Sequence, residues 1–485
     1  MSGLPSNIIL PYIGVDFDSS KAQTGTTGVP VQLLLIGQKL AAGTLPEAQL
    51  QRVFDSDEVG IFAGVGSDLH AQAIKSFAEN SNIPTYIVAL DDADTSSAAT
   101  QPLPWDGIAT ENGEVSLYIN GGDNRYTVGV LVGDTAEEIS ALMIAEMADD
   151  PDIQVTGAFL TDVFTLTHNN KGVAVGDMDV RFNLNVGEKI PAGLTFSVGT
   201  YAAGTVDPDI QDAIDVIGNT WFQVICAPYN DATNLTAMEV YLTAQNANTV
   251  QRDGVYYFCR KDTKAGQITF STNTDRNSQF MCMLDGQNRP NSNSQQIAAI
   301  AASVGVSVAD NPAIPLHRIP VTSLTPIPEE DIYEFLDRNQ MALNGIMTLT
   351  DDNGVQTEGM VTMYLKNSAG AADTAYQQQN SVFQLQRLRY TFVQWIATRY
   401  PRSLLANNID RLEAGTQVLT PTVGKNEAVS WFIQEAKIGI VQNVDSFKKE
   451  TLCTIDSSNK NRLNWLLSNE LMRQFIVGSG TNQFS

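Results

Sequence analysis

The sequence predicts a multidomain chain that mixes α/β and α+β sections, with a β-rich section set between two α/β stretches and an extended segment at each end. Three observations predict it. Short apolar runs alternate with amphipathic helical patterns over 31–90, and do so again over 207–304. Turn-punctuated strand patterns fill the interval near 95–200. The length, 485 residues, suits two to four domains.

Residues 1–28 read as an N-terminal extended arm. Ile13, Val15 and Phe17 alternate with Gly14, Asp16 and Asp18, a period-2 pattern with one apolar edge. Such a strand either pairs within its own domain or adds to a sheet elsewhere. Residues 29–94 form the first α/β part. Val31 to Ile36 reads as a strand buried on both faces, Val59 to Ala63 as a second, and Thr85 to Leu90 as a third. Between the last two, Leu69, Ala73 and Phe77 recur at helical spacing.

Residues 95–200 form the inserted β-rich domain, with strands at Val115 to Ile119, Tyr126 to Val132, Phe159 to Thr167 and Asp179 to Leu184. Within it, Thr135 and Glu138 have capping-box spacing ahead of a helix. Residues 201–330 form the second α/β part. Asp207-Pro208 suits a helix start, followed by strands at Trp221 to Ala227, Val255 to Cys259 and Phe280 to Leu284. If these join the strands of 31–90, the α/β domain is discontinuous.

Residues 331–470 form a C-terminal α+β core. A hairpin turns at Asn353-Gly354, a periodic helix spans Val382 to Tyr400 and stops at Pro401, and another around Glu427 to Ile440 carries Val429, Phe432, Ile433 and Ala436. Residues 471–485 form a C-terminal extended arm.

Charge is unevenly spread. The net charge is −25, which argues against nucleic-acid binding by the whole surface. Residues 1–200 carry 26 acidic and 8 basic side chains, whereas 401–485 carry 8 and 9. The C-terminal end alone can offer positive charge to an acidic partner, including another copy of the chain. The four cysteines are widely spaced, with no C-x-x-C pair, and read as free thiols in a reducing compartment. No signal peptide or membrane span is expected.

The sequence offers no pattern that marks a catalytic, cofactor or metal residue. Gly64-Val-Gly-Ser67 sits where a phosphate loop would, but lacks a third glycine and a Gly-Lys-Ser/Thr. A tight turn with Ser67 or Asp68 capping the helix is the better reading. His70, His168 and His317 show no ligand spacing. The clusters Asp91-Asp92-Ala-Asp94 and Asp149-Asp150-Pro-Asp152 lack a calcium-loop register and read as turn residues.

Ordered motifs along the chain resemble Mu-like contractile phage tail sheath proteins. They are Val15-Asp-Phe-Asp18 with Lys21-Ala22, Phe62-Ala-Gly-Val-Gly-Ser67, Glu114-Val-Ser-Leu-Tyr-Ile119 and Val130-Leu-Val-Gly-Asp-Thr135. Asp337-Arg-Asn339, Asn344-Gly-Ile346, Val361-Thr-Met-Tyr364, Leu388-Arg-Tyr390, Tyr400-Pro-Arg402, Asn461-Arg-Leu-Asn464 and Gln474-Phe475 continue the series. Asp337 stands where the family usually has Glu, and 410–426 fits poorly.

The resemblance implies a discontinuous core domain built from both chain ends, with insertions displayed outward. It implies stacked six-subunit rings around a tail tube protein, with baseplate and tail terminator proteins as further partners. It implies assembly in the host cytoplasm and a place in the virion, without enzymatic activity, cofactor, nucleic acid or membrane insertion. Terminal arms would add strands to neighbouring subunits, through Ile13, Val15 and Phe17 at one end and Phe475 and Val477 at the other. Lys448, Lys449, Lys460, Arg462 and Arg473 are candidate contacts to the tube or to other subunits. The rival readings are a non-contractile shell or scaffold protein and an α/β nucleotide-binding enzyme.

Overall fold

The computed structural model describes residues 29–485 apart from 81, 122–123, 161–162, 274–275, 287, 409–417, 482 and 484–485. Ile13, Val15 and Phe17 of the expected arm therefore lie outside the described residues. The described chain divides into two compact units. The larger holds Pro30–Tyr390 with the segment from Leu471, and the smaller holds Thr391–Glu470.

The larger unit is built on an eight-stranded sheet. In spatial order its strands are Gln356–Gly359, Ile346–Thr350, Met281–Asp285, Val255–Arg260, Val224–Cys226, Leu33–Gln38, Thr85–Leu90 and Leu50–Val53. The six inner strands run parallel, and each outer strand pairs antiparallel to its neighbour. Parallel strands need covering on both faces, which is why the inner ones read as continuous apolar runs. Leu33 and Leu35 face a core shared with the helices Asp68–Glu79 and Asn293–Asp310. Leu34 and Ile36 face another, shared with Ile210–Ile217 and Ala232–Gln245.

All strands of this sheet come from residues 33–359. Two of them lie beyond residue 330, so 331–390 belongs with the larger unit and the compact division falls at 390. The Asn353-Gly354 hairpin forms as its turn chemistry requires, with Gly354 at φ +80°.

Between Thr85–Leu90 and Val224–Cys226 lies the β-rich section. One sheet has the order Leu194–Phe196, Ala98–Gly107, Val163–Lys171, Val155–Leu160. The other has the order Arg125–Val130, Gly113–Ile119, Val180–Phe182. Trp105, fully buried, packs at 4.8 Å from Phe164 and 4.5 Å from Phe196. The helix Ala136–Ala148 begins with the expected capping box, since Thr135 and Glu138 exchange both bonds.

Three local expectations are corrected. Val59 to Ala63 lies in a helix, Ser56–Ala63, because Asp55 accepts from the Glu58 amide and Glu58 accepts from the Phe54 amide. The helix expected at Asp207-Pro208 begins at Ile210 with Asp209 as its cap, while Asp207 accepts from the Val173 and Ala174 amides. The helix expected over Glu427 to Ile440 spans Pro421–Lys437 and turns Gly424, Ala428, Trp431, Phe432 and Glu435 inward.

The smaller unit has an aromatic core. Phe432 and Phe447 stack with centroids 3.8 Å apart, and Trp431 packs edge-on to Phe392 at 5.0 Å. The Trp431 indole N–H donates to Thr391 Oγ1 at 3.0 Å, so its buried polar atom is satisfied. Around this core lie the helix Val444–Glu450 and an antiparallel hairpin, Leu452–Ile455 with Leu463–Leu466.

Candidate assembly surfaces

The hairpin of the smaller unit is short and two-stranded. Its register pairs Leu452 with Leu466, Cys453 with Trp465, Thr454 with Asn464 and Ile455 with Leu463. Among the described residues no third strand joins it, so both outer edges carry unpaired backbone groups. Leu452 and Leu466 are more than half exposed.

One face of the hairpin is anchored. The Trp465 indole N–H donates to the Gly424 carbonyl at 3.0 Å, and a Cβ on Gly424 would lie 2.8 Å from Cys453 Sγ. Glycine lets the helix Pro421–Lys437 approach this closely. The turn is fixed by Asp456, which accepts from the Ser458 amide and hydroxyl, the Asn459 amide and Asn464 Nδ2. These bonds, the Ser458 hydroxyl foremost, hold its carboxyl well below the usual range.

Four of the five cations singled out from sequence fall in this unit, and all are exposed. Lys448 and Lys449 occupy the last turn of Val444–Glu450, where cations complement the helix dipole, and Lys448 lies 3.5 Å from Asp445. Lys460 sits in the hairpin turn, and Arg462 donates to Asn464 at 2.7 Å. Arg473 is exposed on the tail that belongs to the larger unit.

That tail is rooted and then bare. Gln384 Nε2 donates to the Met472 carbonyl at 3.1 Å, and Gln474 Nε2 donates to Gln384 Oε1 at 3.4 Å. Beyond them Phe475 and Val477 are 78% and 82% exposed, in no strand. With Ile476, 53% exposed, they make a run of three exposed apolar side chains.

In the glycine turn the Gly66 amide donates to His70 Nδ1 and the Ser67 amide to the Gly64 carbonyl, so neither is open in the way a phosphate loop's amides are. Gly66 takes φ +76°, and a Cβ there would strike the Ile153 carbonyl at 2.6 Å. The Asp68 amide donates to Asn170 Oδ1 and the His70 amide to Ser67 Oγ. Ser67 is thus the helix cap. Burial lowers the pKa of His70, His168 and His317, favouring neutral rings. Asp91 pairs with Lys39 at 2.9 Å, and Asp150 accepts from the Tyr126 hydroxyl and the Asp152 amide. Among the described residues no group of three or more His, Cys, Asp or Glu could hold a metal ion, and no helix is long and apolar enough to cross a membrane. All four cysteines are free, and burial raises the pKa of each.

Two features escape the sequence reading. Arg289, 2% exposed, bridges Asp351 at 2.9 Å and the Thr325 carbonyl at 2.6 Å, joining residues distant in the chain with no local spacing to announce them. The hairpin itself does leave a signal, since Asp456-Ser-Ser-Asn459 is turn-like and stands between two four-residue strands.

A family model described as the phage tail sheath protein central domain matches residues 203–363. Across its full length the chain is 30% identical to the Mu-like prophage FluMu tail sheath protein of Haemophilus influenzae, with 100% of this chain and 99% of that protein covered. The chain belongs to the phage tail sheath protein family, and its function is that of a tail sheath. Among solved structures it is similar to the sheath tail protein of Desulfitobacterium hafniense, at 11% identity and TM-score 0.48, covering 95% of this chain and 100% of that one. It is also similar to the helical sheath of the anti-feeding prophage in its contracted state, at 10% identity and TM-score 0.48, covering 98% and 99%.

Proposed function

We propose that the protein is the repeating subunit of a contractile tail sheath, stacked as six-membered rings around a tail tube within the virion and assembled in the host cytoplasm. Its work is mechanical, and no residue in it has a catalytic role. Released by the baseplate, the lattice rearranges, and small gains in buried surface at each subunit sum to drive the tube through the envelope. Full-length identity to a tail sheath protein supports the class of function.

The observation that carries the mechanism is the hairpin Leu452–Ile455 with Leu463–Leu466, open along both edges. Each edge takes one extended arm from a neighbour, residues around Ile13, Val15 and Phe17 on one and the Phe475–Val477 tail on the other. Strand addition gives register-specific backbone bonds that persist while subunits rotate. Lys448, Lys449, Lys460, Arg462 and Arg473 provide charge contacts to acidic surfaces of other copies or of the tube.

Deleting residues 1–20 tests this. The expected result is a folded chain that forms no striated tubes in electron micrographs. Normal contractile sheaths from the truncated chain would contradict the arm assignment, and closed shells from the full chain would favour a non-contractile scaffold.

A further inference from the structure

The β-rich section is fastened to the eight-stranded sheet by a buried polar joint at the carboxyl end of the strand Leu33–Gln38. Gln38, fully buried, donates from Nε2 to Asp92 Oδ1 and to the Lys171 carbonyl, both at 2.6 Å. Asn170 donates to the Lys39 carbonyl at 3.0 Å and to Asp92 Oδ1 at 3.1 Å. Asn169 donates to the Gly66 carbonyl at 3.1 Å. At the centre is Asp68, fully buried at the start of its helix, whose amide donates to Asn170 Oδ1 at 2.8 Å.

The Asp68 carboxyl is poorly matched to a negative charge. Gln72 Nε2 donates to Oδ2 at 2.8 Å, and the Ser294 hydroxyl and Gln38 amide lie near the group. Oδ1 is buried without a hydrogen-bond partner. The charged neighbours give little help. Asp92 and Asp207 are themselves acidic, Lys39 pairs with Asp91 at 2.9 Å, and Lys261 pairs with Asp177 at 2.8 Å. His168 and His70 are held neutral by burial, as are the Cys226 thiol and the Tyr229 phenol.

We propose that Asp68 makes this joint a proton-operated lock, tight when its carboxyl is protonated and loosened when it is ionised. A protonated carboxyl is a donor as well as an acceptor and carries no uncompensated charge into a dry site.

Burial pushes the carboxyl up to about 6 from a value of 3.8 outside the fold. The folded joint therefore retains a proton that the opened chain has released. Its contribution to stability is full below about pH 4 and is lost as the pH rises through about 6. A shift of roughly two units sets a ceiling of about 100-fold on the change in the opening equilibrium.

Hydrogen exchange of the full chain, corrected for intrinsic rates, tests the lock at the amides of 169–172. Protection should fall by up to about 30-fold between pH 4.5 and 7.5 in the wild type, with little change in Asp68→Asn. An equal pH response in both chains would overturn the proposal. Should Asp68→Asn not fold, infrared difference spectra of the wild type and of Asp207→Asn give the second reading. A buried protonated-carboxyl band titrating near pH 6 should persist in Asp207→Asn, and its loss there would overturn the proposal by placing the proton on Asp207.

Discussion

The eight-stranded sheet and the two-stranded hairpin solve the same problem to different degrees. In the sheet, Leu33 to Ile36 are fully buried, helices cover both faces, and six parallel strands satisfy one another. In the hairpin, the eight strand residues are all partly or largely exposed, one face is anchored at Gly424, and both edges are unpaired among the described residues. A small antiparallel pair is marginal alone and gains from added strands. The sheet buries its inner strands within one chain. Under the proposed arm exchange, the hairpin is finished by association.

The comparison can be broken from either side, and the largest loss is expected in the closed region. Arg289→Met leaves Asp351 buried without its partner and should cost about 3–5 kcal/mol, read as a drop in the denaturation midpoint. In the smaller unit, Gly424→Val forces the helix away from Cys453 and Leu463 and should cost about 1–3 kcal/mol. Sheath yield should fall with it, because the hairpin loses its support. In the β-rich section, Thr135→Ala removes a helix cap and should cost about 1 kcal/mol by thermal melting, with sheath yield unchanged. The smallest effect on stability sharpens the contrast most. Leu466→Ser, at an exposed position on the open hairpin, should shift the midpoint by less than about 0.5 kcal/mol while sharply reducing striated tubes in micrographs.

The same division governs what could be read from sequence. Buried parallel strands announce themselves as continuous apolar runs, and Thr135 with Glu138 announces a helix start through spacing alone. Val59 to Ala63 misleads because a short apolar run fits a strand or a buried helix equally, and only Asp55 and Glu58 before it decide. Leu50–Val53, an edge strand with Gln51 and Arg52 on it, lacks the apolar density that marks the inner strands. The Arg289–Asp351 bridge arises from tertiary folding across 62 positions. In the candidate site, the tail's apolar residues and four basic side chains of the smaller unit are picked out from the sequence, whereas the hairpin is not. Its strands are only four residues each, and their apolar residues form neither a strict alternation nor a continuous run.

The most direct test is a cryo-EM map of the assembled particle at side-chain resolution. Two additional strands should flank Leu452–Ile455 and Leu463–Leu466, one containing Ile13, Val15 and Phe17 from one neighbour and one containing Phe475 and Val477 from another. Bare hairpin edges, with each chain's ends folded on their own molecule, would contradict the account.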